Sequence, residues 1–176
     1  MRLPDKIRER IGDLQGEIGI YYYDFNRDTS FFVGNCDVFP SLGIAKIVLM
    51  IEVFRQVEEG LIHLDDTYVL DKNPPFAIPE NEYEATVGVL DFLHKGMEVT
   101  ISDLVYLMMI ISDNSAFNIL LSIVGMDNVN DTMKKLGLTK TKIRCMLFEW
   151  DDIDPQKDNY HSVREIGSLL RRIYKK

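Results

Sequence analysis

The longest apolar run in this chain, LVYLMMII at 104–111, is cut off by three polar residues and then resumes. Thr100-Ile-Ser-Asp103 precedes it with the Thr-x-x-acid pattern of a capping box, which predicts a helix starting there. Ser112-Asp113-Asn114 interrupts the run, and a further helix is expected over about 115–124, stopped by Gly125. The run is much too short to span a bilayer, so the apolar pair belongs to a globular interior. A polar tripeptide between two such helices is therefore the fixed point around which the remaining elements are read.

Before it, residues 4–14 read as an amphipathic helix, with Pro4 at its start and Ile7, Ile11 and Leu14 on one face. GEIGIYYYDFNRDTSFFVGN then predicts a hairpin, with Asn26-Arg27-Asp28 as the turn. A helix is expected from about Gly43 to Glu59, a short extended piece within His63–Leu70, and a Pro-broken loop at KNPPFAIPENE. After Gly125, Asp127 is expected to cap a helix ended by Gly137, and residues 139–161 form a long connection without periodicity. Ser162-Val-Arg-Glu165 reads as a second capping box, opening a last helix to about Tyr174. The expected class is α+β: a mostly helical domain with an incomplete antiparallel sheet, divided into 1–36 (helix and hairpin) and 37–176 (helical). A lone hairpin is marginal in water. It is expected either to pack on helix 4–14 and accept a partner strand, or to belong with strands beyond residue 176.

Composition narrows the function. In 176 residues, 46% are hydrophobic and 27% charged, and the net charge is −8, which disfavours a nucleic-acid partner. No basic stripe with interleaved aromatics is present. Cys36 and Cys145 set no disulfide framework and are expected to be free thiols. His63, His94 and His161 show no ligand spacing and read as surface residues, so neither a metal nor another cofactor is expected. The N-terminus lacks a signal-peptide pattern, which places the chain as written in the cytoplasm, or outside it if a signal has been removed.

The chemically odd stretch is FPSLGIAK at 39–46. A lysine opening an apolar helix is costly to bury unless something needs it. The usual need is a hydroxyl nucleophile one turn earlier, and that position is Gly43. Ser41 lies five residues before Lys46, roughly 140° around the helix at ~100° per residue, and is expected to cap it.

Lys46, Ser112-Asp113-Asn114 and a later loop containing Glu149 occur in the order of the class A β-lactamases and penicillin-binding proteins, whose chemical set is S-x-x-K, S-D-N and K-T-G. The sequence resembles that family over nearly its whole length: the hairpin, FPSLGIAKIVLMIEVF, MEVTISDLVYLMMIISDNSAFNILLSIVG and NYHSVREIGSLLRRIY each have a counterpart. The resemblance implies acyl transfer on a β-lactam or a D-Ala-D-Ala-type peptide. Lys46 matches the lysine that takes the nucleophile's proton, and Ser112 the second serine. Asn114 matches the amide that orients the acyl side chain and Asp113 a structural carboxylate, while Glu149 stands in about the place of the omega-loop glutamate but closer to Asp158-Asn159 than the family's spacing has it.

The departures from the family are specific. Gly43 stands at the nucleophile position, so the chain is expected to be catalytically impaired. Lys140-Thr141-Lys142 is the nearest string to K-T-G but precedes the 139–161 loop and reads as a solvated turn. The alternative to an enzyme is a binding or assembly module using the open edge of strand 17–24, for instance in a homodimer.

Overall fold

A computed structural model describes residues 2–12, 14–70, 87–147 and 158–175. The elements run α1 (Leu3–Ile11), β1 (Gly19–Asp24), β2 (Thr29–Gly34), β3 (Val38–Pro40) and α2 (Ala45–Glu58). They continue with β4 (Thr67–Val69), β5 (Glu98–Thr100), α3 (Ile101–Ile110), α4 (Asn114–Val124), α5 (Met126–Lys135), β6 (Tyr160–Ser162) and α6 (Val163–Lys175). Single 3-10 turns at Leu42–Ile44 and Leu90–Phe92 precede α2 and β5. The class is α+β, with the helices in the majority.

The middle of the helical part is α4. Phe117, Ile119, Leu120, Leu121 and Val124 are all buried, so this helix is enclosed by α2, α3 and α5 rather than amphipathic. Val48, Leu49 and Val53 of α2, Leu104 and Met108 of α3, and Val129 and Met133 of α5 close around it. Each fully buried side chain of this kind contributes about 1.5–3 kcal/mol relative to exposure. Thr100 and Asp103 form the capping box expected for α3, with both reciprocal bonds present.

The hairpin register runs from Gly19 opposite Gly34 to Asp24 opposite Thr29. α1 lies against β2, and α6 lies against β1. A Cβ at Gly167 would stand 2.2 Å from Tyr21, so the missing side chain is what lets α6 approach the strand. Arg171 and Lys175 of α6 also lie over the Tyr23 ring. Beyond the hairpin, β3 pairs with β6 and β4 with β5, each antiparallel. β4 falls within the extended piece expected in His63–Leu70, whereas β3, β5 and β6 carry no sequence signal, because three residues apiece show too little alternation.

Several local expectations are corrected. Asp127 sits inside the first turn of α5, whose cap is Gly125. Ser162 Oγ accepts from Glu165 N at 3.2 Å, but the Glu165 carboxylate does not return to close a box. It accepts the amide N–H groups of Thr139, Lys140 and Thr141 and the Thr141 hydroxyl. Lys140-Thr141-Lys142 is accordingly no solvated turn: Thr141 is buried, Lys140 pairs with Asp37, and Lys142 bridges to Tyr160. His161 is half-buried rather than a surface residue; its Nδ1 has no partner and burial lowers its pKa. Cys36 and Cys145 are not joined in a disulfide.

Candidate active site

Pro40 ends β3, and Ser41 N then donates to Asn159 O at 2.6 Å, which fixes where the chain turns into α2. Ser41 is buried, and its hydroxyl has neither a capping role nor any partner, contrary to the expectation that it caps the helix. Leu42 takes φ +43° and is exposed. Gly43 follows at the surface, and a Cβ built there meets nothing within 4 Å. The position has room for a side chain and lacks one.

Lys46 is 5% exposed in the first turn of α2. Its Nζ donates to Asn114 Oδ1 at 2.8 Å, and the Phe117 ring, one turn further along α4, lies 5.9 Å away. Burial pushes the lysine pKa below its ordinary value, and the nearby Asp113 carboxylate opposes that shift. The ammonium and the amide come from helices 68 residues apart in sequence, so their meeting depends on the α2–α4 packing.

The turn that presents Asn114 is held by its neighbour. Asp113 is fully buried and caps α4 through Ala116 N on Oδ1 at 2.9 Å. Its Oδ2 accepts Val89 N at 2.6 Å and Leu90 N at 3.1 Å, tying residues 87–91 to the same corner. Gly88 makes this approach possible: at φ +137°, a Cβ there would fall 2.3 Å from Asp113 Oδ2. Asn114 N donates to Val87 O, and Ser115 Oγ to Asp91 Oδ1. Burial raises the Asp91 pKa; Ser115 opposes the rise and Asp113 adds to it.

Ser112 is half-buried and holds φ +61°. A residue with a Cβ adopts that conformation only under local constraint, at a cost of order 1 kcal/mol. Lys46 and Asn114 are thus in direct contact, with Asp113 behind them, Ser112 in the adjoining turn, and Gly43 one turn ahead of the lysine. Glu149 lies outside the described residues.

Sequence reasoning missed the 87–91 strap, because a single glycine and one aspartate in a loop carry no periodic signal. It also missed three asparagines that pin the described start of the 139–161 connection. Asn130 brackets Ile143, Asn159 receives Arg144 N and Cys145 N, and Asn118 brackets Leu147. Among the described residues no group of His, Cys, Asp or Glu is placed to hold a metal ion, and no helix is long and apolar enough to cross a membrane.

A family model described as a β-lactamase enzyme family matches residues 2–176. Among curated proteins none matches the sequence. Similar solved structures include PBP-A, at 22% identity and a TM-score of 0.81, where the alignment covers 98% of this chain and 61% of that one. A mutant of PBP-A solved as an acyl-enzyme complex with penicillin G gives the same values. A β-lactamase from Sphaerobacter thermophilus is 30% identical with a TM-score of 0.75, covering 90% of this chain and 59% of that one. A β-lactamase from Chitinophaga pinensis is 21% identical with a TM-score of 0.78, covering 97% and 62%. The chain therefore spans about three-fifths of the length of the structures it matches.

Proposed function

Because this chain belongs to the β-lactamase enzyme family, we propose that the Lys46–Asn114 corner recognises a β-lactam or a D-Ala-D-Ala-type peptide without forming a covalent bond to it. The observation that carries this reading is the buried 2.8 Å bond from Lys46 Nζ to Asn114 Oδ1, beside an open position at Gly43. Asn114 offers an amide to the ligand's acyl side chain, Lys46 supplies positive charge, and Ser112 supplies a hydroxyl in the adjoining turn.

The acyl-transfer step needs an oxygen that attacks the carbonyl, and glycine supplies none. Deleting the nucleophile from such a set costs on the order of 10⁴–10⁶ in rate, by analogy with hydrolase triads, so the chain as written is an impaired enzyme. The remaining donors retain the capacity to bind.

Calorimetric titration with penicillin G tests the reading. The expected result is saturable binding that falls at least tenfold in Asn114→Ala and in Lys46→Ala, with no mass adduct on the protein. Binding unchanged in both variants would remove this corner from the account.

A further inference from the structure

We propose that Gln56 is a positioning residue for the Lys46–Asn114 pair: together with Glu52 and Thr132 it fixes where α2 lies along α4, and that placement brings the Lys46 ammonium to the Asn114 amide. The inference concerns the pair itself and holds whichever ligand the pair takes.

α2 and α4 carry matching stripes. On α2 the buried residues Lys46, Leu49, Val53 and Gln56 fall at i, i+3, i+7 and i+10, which is one helix face. On α4 the buried residues Asn114, Phe117, Leu121 and Val124 have the same spacing. The stripes are joined at both ends. Lys46 Nζ donates to Asn114 Oδ1 at 2.8 Å, and Gln56 Nε2 donates to Val124 O at 2.9 Å. Both bonds span 68 residues, so the two helices run in the same direction. The joints stand about 15 Å apart along each helix, at 1.5 Å per residue. Between them each stripe is apolar.

Apolar burial is non-directional, and by itself it sets the position of one helix along another only loosely. The bond from Gln56 is directional, and its acceptor does not need it. Val124 O, left without an intrahelical partner as the last carbonyl of α4, already accepts from Asn128 Nδ2 at 2.7 Å. The same surplus is present at Glu52. Its fully buried carboxylate accepts Arg55 Nε and Nη2 at 2.8 and 2.7 Å. Gln56 Nε2 and Thr132 Oγ1 add donors at 2.7 and 2.6 Å, the second reaching across from α5. Burial opposes the charge on Glu52, and these donors outweigh it. Both N–H groups of the Gln56 amide are therefore used, one on a carboxylate tied to α5 and one on the end of α4. A buried ionic network of this kind adds little stability over apolar packing of the same volume. What it supplies is one fixed place for α2 among its neighbours.

The test reads the Lys46 ammonium in the free protein, by NMR titration of its side-chain carbons. Gln56→Met and Thr132→Val keep the approximate shape and remove no charge, and both leave the Asp113 carboxylate in place, so a change at Lys46 reports geometry alone. The expected result is a proton dissociation constant of Lys46 lowered about threefold in each variant, as the lysine leaves the burial that depresses its pKa. Thr132→Ser keeps the hydroxyl and should match the parent. Leu169→Ala opens a cavity on α6, which packs on β1 and β6, and should also match it. An unchanged Lys46 titration in both Gln56→Met and Thr132→Val would overturn the proposal. So would an equal change in Leu169→Ala, which would mark general loosening. No ligand enters the measurement, so a parent chain that fails to bind penicillin counts against the function proposed above and not against this positioning role.

Discussion

Replacing Asp113 by asparagine is expected to loosen the corner that carries Ser112 and Asn114. The carboxylate accepts three backbone N–H groups, one on Oδ1 and two on Oδ2. An amide has one acceptor oxygen, so whichever way the substituted side chain turns, its NH2 faces at least one N–H. Hydrogen bonds to a charged group contribute about 1.5–3 kcal/mol each. Losing one or two of them in a fully buried site costs about 1.5–6 kcal/mol. With a urea m-value of about 2 kcal/mol/M, the midpoint falls by about 0.8–3 M. Hydrogen exchange localises the effect: the Val89 and Leu90 amides should lose protection before those of α2. A midpoint within about 0.2 M of the parent, on the order of the fitting error, with those amides equally protected, would refute the reasoning.

The two glycines flanking the site should behave oppositely. Gly88→Ala places a methyl against Asp113 at positive φ and should destabilise by about 2–4 kcal/mol in the same denaturation assay, whereas Gly43→Ala meets open space and should lie within about 1 kcal/mol of the parent. Burial holds the Lys46 pKa below its ordinary 10.5, so the unfolded chain binds the proton more tightly; stability should rise with pH between the folded value and 10.5, and Lys46→Met should abolish that rise in midpoints measured across the alkaline range. At Glu165, burial opposes the charged form, but the Lys140, Thr139 and Thr141 donors outweigh it and lower the pKa below 4.5. The stability it contributes is present above that value and is lost as pH falls through the lower folded one, so Glu165→Gln should flatten the acid limb of the stability profile.

The central helices and the two unusual segments at Lys46 and Ser112–Asn114 are legible in the sequence because each breaks a pattern, while the pairing of Lys46 with Asn114 is what the family resemblance implies. A lysine at the head of an apolar helix is costly to bury, and a polar tripeptide between two apolar helices must turn. The hairpin is legible through its alternation and its turn residues. What escapes is held by single side chains at long range. Gly88 leaves room for the Asp113 carboxylate, Asp91 accepts the Ser115 hydroxyl, and Asn118 and Asn130 bond backbone groups of another segment; nothing in their own neighbourhood announces it. Glu165 reads as half of a capping box because its spacing from Ser162 fits one. Three amides from another loop offer the same carboxylate more donors, and the tertiary contact wins. The expectation that Ser41 caps α2 fails for a related reason: the chain enters through a 3-10 turn, and Ser41 sits with αR angles rather than in the extended conformation of a capping residue.

The central claim is that two helices still frame a site whose attacking oxygen is missing while the space for it remains. Intact-mass analysis of Gly43→Ser after incubation with penicillin G tests it most directly. The account predicts an adduct of the whole penicillin mass on Gly43→Ser, absent from the parent chain and from Gly43→Ser combined with Lys46→Ala. A folded Gly43→Ser protein that stays unmodified at saturating penicillin would contradict it.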